Sequence, residues 1–197
     1  MCAFALVACG SGAPAVNPSA DPAFVELAQQ QLAEAQAAGA DPEQVRALER
    51  SLAVGEVTYD EYNQALERMF SCFDDAGVQY QRMGIDESRG FKFPMYSYEG
   101  EAGGNPVAWS CFERNLNFLD AVYQLQPAAK EATEHMLEAK RGVLTSCLIR
   151  EGYLTDPNAS IDDIRGALDA MLDDPRSETD PLFNPAVCMQ EAGISSY

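Results

Sequence analysis

Between Pro22 and Ala38 the positions Val25, Ala28, Leu32 and Ala35 recur at helical spacing in a run rich in Ala, Gln, Leu and Glu, which predicts an amphipathic helix. Val45, Leu48 and Leu52 carry the same stripe from Pro42 to Ala53, so a helical hairpin broken at Gly39 is expected. Tyr62, Leu66, Met69 and Phe73 mark a third helix over Tyr59 to Ala76, ended by Gly77. The period then changes. Val78 to Met83 and Phe91 to Tyr98 are rich in aromatic and other strand-forming residues and flank a turn, Gly84 to Gly90, so they read as one small antiparallel hairpin. Pro94 fits in its second strand at an edge or a bulge. Helical spacing returns with Trp109, Cys111, Phe112, Leu116, Leu119 and Val122 between Pro106 and Leu125. Further helices are expected over about Ala128 to Glu151, Ser160 to Leu172 and Pro185 to Ala192.

The punctuation agrees with that reading. Asp21-Pro22, Asp41-Pro42, Asn105-Pro106 and Asn184-Pro185 each offer a side-chain acceptor at an N-cap and a pre-set φ at the first helical position. Thr58 with Glu61, and Ser160 with Asp163, have the spacing of capping boxes. The fold class is therefore mainly α: a single helical domain over 21–197 with one small antiparallel β-hairpin near 78–99.

The cysteines add a covalent framework. Cys72 to Gly77, Cys147 to Gly152 and Cys188 to Gly193 are each Cys-x4-Gly. If each Gly is the left-handed residue beyond a helix end, Phe73, Leu148 and Met189 meet Val78, Tyr153 and Ile194 in the apolar contact of a Schellman motif. Each cysteine then lies one turn inside a well-terminated helix. With Cys111, four cysteines remain outside the N-terminal segment, and three pairings are possible. Cys72 with Cys111 and Cys147 with Cys188 is favoured, because each joins chain neighbours over a similar interval. A loop of that size contributes on the order of 3 to 4 kcal/mol. Free thiols in a helical core are the plain alternative, and none of the four has the short Cys spacing of a zinc site.

Leu6-Val7-Ala8-Cys9 followed by Gly10-Ser11-Gly12-Ala13-Pro14 has the pattern of a bacterial lipobox, in which a peptidase cleaves before an acylated cysteine. Residues 1–8 read as the remnant of a signal peptide, Cys9 as the lipidation site, and 9–20 as a flexible tether. Met1 to Val7 contain no Lys or Arg and are short for an apolar signal region, so a start upstream is expected. The expected place of work is the extracytoplasmic face of the cell membrane, reached through the lipid on Cys9 without a transmembrane segment.

Thr58-Tyr59-Asp60-Glu61-Tyr62, Cys72-Phe73-Asp74-Asp75-Ala76-Gly77, the hairpin, Cys111 and Cys147-Leu148-Ile149-Arg150-Glu151-Gly152-Tyr153 together resemble a group of small Ala-rich, four-cysteine lipoproteins of high-GC Gram-positive (actinobacterial) bacteria. The resemblance runs from about Val54 to the C-terminus. It implies the same envelope address and oxidised cysteines. Its motifs are helix endings and cysteines, so it transfers no active site.

Charge narrows the partners. The 197 residues carry a formal charge of −18, which makes nucleic acid and anionic membrane surfaces poor partners, since approach costs repulsion and releases no counterions. An acidic surface that keeps an exported protein soluble accounts for the same excess.

The search for chemistry returns little. The single histidine, His135, has Ala139 where a zinc protease needs its second ligand. Gly55 to Glu61 imitates the end of a calcium loop, but Arg50, Leu52 and Val54 fall on the early ligand positions. Asp156, Asn158, Ser160 and Asp162 alternate like calcium ligands, yet Ile161 and Ala167 occupy the positions that want Gly and Glu. No nucleophile elbow or phosphate loop is present, so no catalytic residue, metal or cofactor is expected. The best candidate ligand surface is aromatic: Tyr80, Phe91, Phe93, Tyr96 and Tyr98 on the hairpin, which bind a sugar or peptide only if several rings are exposed together, and otherwise pack against the helices. The leading expectation is a monomeric, non-enzymatic interaction module that binds an unknown envelope component. The competing one is an envelope hydrolase acting on wall glycans or peptides through two carboxylates, and a secreted inhibitor or ligand-sequestering protein is a third.

Overall fold

The computed structural model describes residues 15–87, 89–100 and 104–194. The leader and Cys9 lie outside them. The chain is mainly helical with one two-stranded antiparallel sheet, and disulfides join Cys72 to Cys111 and Cys147 to Cys188. The fold class and the favoured pairing thus stand as read from the sequence. The backbone gathers into two compact units, which divide the stretch that the sequence reads as one domain.

The first unit comprises the described residues up to Gly77 together with Asn105–Gln126. It contains α1 (Pro22–Ala38), α2 (Pro42–Val54), α3 (Tyr59–Ala76), α4 (Pro106–Phe112), a π-helical segment (Glu113–Asn117) and α5 (Phe118–Leu125). Helix α1 lies against α2 and α5, and α3 against α4 and the π segment. Asp21, Asp41 and Asn105 cap their helices as expected, with Pro at the first turn, and Thr58 and Glu61 form both bonds of a capping box. The expected helix over Pro106 to Leu125 is not continuous, because the π segment inserts a wider turn in its middle.

Within the stretch read as a flexible tether, one described position is held. The Asn17 backbone N–H donates to the Leu52 carbonyl at 2.8 Å and its side-chain amide to the Val54 carbonyl at 2.6 Å, which fixes this segment on the end of α2. Gly55 has φ +99°, and a Cβ there would stand 3.1 Å from both Ala20 and Asn17. The close approach and the backbone conformation both require glycine.

The second unit comprises Val78–Gly104 and the residues from Pro127 onward. It contains β1 (Tyr80–Asp86), β2 (Phe93–Tyr98), α6 (Pro127–Arg150), α7 (Ile161–Leu172), α8 (Arg176–Thr179) and α9 (Val187–Glu191). The register pairs Tyr80 with Tyr98 and Asp86 with Phe93, and a bulge falls at Met83 between Arg82 and Gly84. Pro94 sits opposite Ile85. Both strands are edges, so its missing N–H is tolerated.

Helix α6 packs against α7 and α9 around Leu137, Leu144, Leu148, Ile164, Leu168, Met171 and Met189. The Schellman endings are present: Gly152 (φ +85°) and Gly193 (φ +69°) are left-handed, Tyr153 N–H donates to the Leu148 carbonyl and Ile194 N–H to that of Met189, both at 2.8 Å. Helix α8 lies within the acidic stretch Asp169 to Asp180, beyond the end of α7. Helix α9 begins at Val187, since Asn184 instead accepts from the Ala186 N–H in a turn.

Candidate functional site

The hairpin places its aromatic residues on two faces. Residues two apart share a face, and directly paired residues do too. Tyr80, Tyr96 and Tyr98 therefore lie together with Arg82, and the Tyr96 and Tyr98 rings stack at 6.4 Å. Phe93 lies on the opposite face, with Phe91 tilted against it at 4.9 Å. Arg89 spans this second group: its guanidinium lies 3.8 Å from the Phe93 ring centroid and reaches the Asp86 carboxylate at 3.4 Å. All five rings are half-buried. The structure thus brings together two small aromatic groups, not one exposed platform.

A second arrangement, which the sequence did not single out, lies wholly in the first unit. It begins with Gln44, a polar residue on the buried stripe of α2. Its side-chain amide donates to the Glu113 and Arg114 carbonyls at 3.2 and 2.8 Å, and its oxygen accepts from the Phe118 and Leu119 N–H groups at 2.9 and 3.1 Å. A π turn disrupts the α-helical ladder and leaves backbone groups to be satisfied, and Gln44 meets four of them. Asp41 N–H also donates to the Arg114 carbonyl at 2.8 Å, and the Asn115 amide donates to the Cys111 carbonyl at 2.9 Å. The Cys72–Cys111 disulfide ties this region to α3. The Cys111, Glu113 and Arg114 carbonyls and the Phe118 and Leu119 N–H groups are thus all held.

Beside this clamp opens a cleft of about 430 Å³ lined by Asp41, Arg68, Ser71, Asp75, Arg114 and Asn115, with the disulfide at its edge. Arg68 has a buried Nε without a hydrogen-bond partner and stands 4.0 Å from the Asp41 carboxylate, too far for a bond. Burial lowers its pKa, with the Asp41 charge opposing that shift. Asp41 already accepts the Glu43 N–H at 2.9 Å as a helix cap. Arg114 is exposed, and no ion pair or hydrogen bond takes its guanidinium among the described residues. A periodicity argument passes over Arg68 and Arg114 as surface positions. The available signal was Gln44, four residues before Leu48, where an apolar side chain was due.

Two other titratable groups stand apart. Tyr62, stacked on Tyr123 at 4.1 Å, donates to Asp120 at 2.7 Å, and Gln124 donates to the same oxygen at 2.9 Å. Burial raises the Asp120 pKa above the usual carboxylate range, partly offset by these two bonds. In the second unit Asp174 is held well below that range by hydrogen bonds from Arg176 and Tyr153. His135 is exposed near Glu131, and no group of three His, Cys, Asp or Glu side chains that could hold a metal occurs among the described residues. Among those residues no helix is long and apolar enough to cross a membrane.

Compared with protein-family models, with curated proteins and with solved structures, the chain matches none.

Proposed function

We propose that this protein is a cell-envelope lipoprotein, anchored at the extracytoplasmic face of the membrane by an acyl group on Cys9, where it serves as a non-enzymatic binding module for another envelope component. The observation that carries the reading is a disulfide in each compact unit. Such bonds form and persist in oxidising compartments outside the cytoplasm. The lipobox at Leu6–Cys9 supplies the means of attachment, and an acylated cysteine needs no membrane-spanning helix to hold a domain there. A structured cleft with under-neutralised charges gives the module a place to bind.

Intact mass of the protein purified from its native membranes, with and without reduction and alkylation, tests the proposal. The expected result is a diacylglyceryl adduct on Cys9 and four thiols that alkylate only after reduction. A chain without the lipid, or with four thiols that alkylate before reduction, overturns it.

A further inference from the structure

The cleft of the first unit gathers two arginines and two carboxylates without a close ion pair between them. Acidic residues outnumber basic ones 31 to 13, and most of the described arginines have a carboxylate close by, while Lys130 and Lys140 have none. Arg50, Arg141, Arg150, Arg165 and Arg176 each hold a carboxylate oxygen at 2.6–3.0 Å. Arg68 and Arg114 do not, although two carboxylates share their cleft. One of these, Asp41, is committed to capping α2, and the other, Asp75, has no hydrogen bond or ion pair among the described residues. The lining therefore presents both signs of charge in one concavity, where Arg68 and Asp41 meet only at 4.0 Å and Arg114 and Asp75 have no ion pair among the described residues.

A ligand that suits such a lining carries both signs itself. Guanidinium groups recognise carboxylates through charge-assisted bonds, and partial desolvation strengthens such bonds. A dianion such as phosphate would meet Asp41 and Asp75 together with the field of an acidic protein, and a simple cation would meet the two arginines. We infer that the cleft binds a small zwitterion of the α-amino acid class, with its carboxylate held by Arg68 and Arg114 and its ammonium by Asp75. The volume admits an amino acid with room for a side chain or a short peptide extension. Gln44 serves as a positioning residue, because its bonds to the Glu113 and Arg114 carbonyls fix the backbone from which Arg114 projects. The inference deepens the binding role proposed above and rests on it.

The test titrates the purified, oxidised chain with glycine, acetate, methylammonium and inorganic phosphate, followed by backbone amide NMR. Saturable shifts with glycine, centred on Ser71, Asp75, Arg114 and Asn115, are expected, with acetate and methylammonium at least tenfold weaker. Arg114→Gln, at an exposed side chain that leaves the clamp intact, weakens glycine binding tenfold or more. Asp75→Asn reduces glycine to the level of acetate. Lys140→Gln, on α6 of the other unit, changes neither. No saturable shift with any probe overturns the inference, as does phosphate or acetate binding as tightly as glycine, or wild-type affinity in Arg114→Gln. A chain that is lipidated and oxidised in its membrane but binds none of the probes loses this inference and keeps the function proposed above. An unlipidated chain that binds glycine here loses that function and keeps the site.

Discussion

In the first unit the interior admits polar side chains: Gln44, Ser51, Asn115 and Gln126 are all buried, and each donates or accepts hydrogen bonds to backbone. Gln126 accepts from the Val57 N–H and donates to the Val57 and Tyr123 carbonyls, much as a neighbouring strand would. In the second unit the core around α6 is apolar, and the one buried polar side chain among its described residues, Thr145, has a hydroxyl without a partner there. Its ion pairs lie outside, as in Arg150 with Glu191 and Arg176 with Asp174. Both units use the same covalent device, a cysteine one turn before a left-handed glycine, bridged to a cysteine that follows an Asn-Pro pair. The difference shows that buried amides are spent where the backbone departs from the α-helix. The second unit has no such departure among its long helices and relies on apolar contact.

The largest effects come from the bridges. Replacing either cysteine pair with serine costs on the order of 3 to 4 kcal/mol in denaturant titrations. The units respond unequally in hydrogen exchange: without Cys147–Cys188 the five-residue α9 loses its protection, whereas without Cys72–Cys111 helix α4 and the π segment keep theirs through Gln44. Equal loss in both would break the comparison.

Smaller effects separate the two cores. Gln44→Leu strands backbone groups of the π segment and destabilises by about 2 to 4 kcal/mol, while Thr145→Val removes an unsatisfied hydroxyl and is neutral or stabilising by about 0.5 to 1 kcal/mol. Thermal melts of the two variants check the contrast in sign.

The smallest effects at neutral pH are changes of slope. Asp120 has a raised folded pKa, so the native chain keeps a proton that the unfolded chain releases. Its contribution is full below the unfolded value and is lost as pH rises through the folded one. Asp174 has a lowered folded pKa, so its contribution is present above the unfolded value and is lost as pH falls through the folded one. Asp120→Asn, which keeps an acceptor for Tyr62, flattens the decline toward neutral pH. Asp174→Asn flattens the decline in acid. Stability measured from pH 2 to 8 distinguishes the two.

Helix boundaries were legible because their signals are local. Asp21-Pro22, Asp41-Pro42 and the Thr58–Glu61 box act within one turn, and Gly77, Gly152 and Gly193 declare their conformation by position. The π segment was not legible, since Pro106 to Leu125 keeps its apolar spacing across it and the compensating residue lies far off in the chain, at Gln44. The hairpin was found with its strands slightly displaced, because Gly84, read as the start of the turn, instead lies at the bulge with φ +106° and β1 runs on to Asp86. The cleft escaped for a related reason. Its arginines come from different helices, and charge neutralisation is a property of three-dimensional neighbours.

The fastening of Asn17 to the Leu52 and Val54 carbonyls decides where a pull on the preceding chain would arrive. Such a pull would load those two bonds before any helix, so the end of α2 is the mechanical mooring of the first unit.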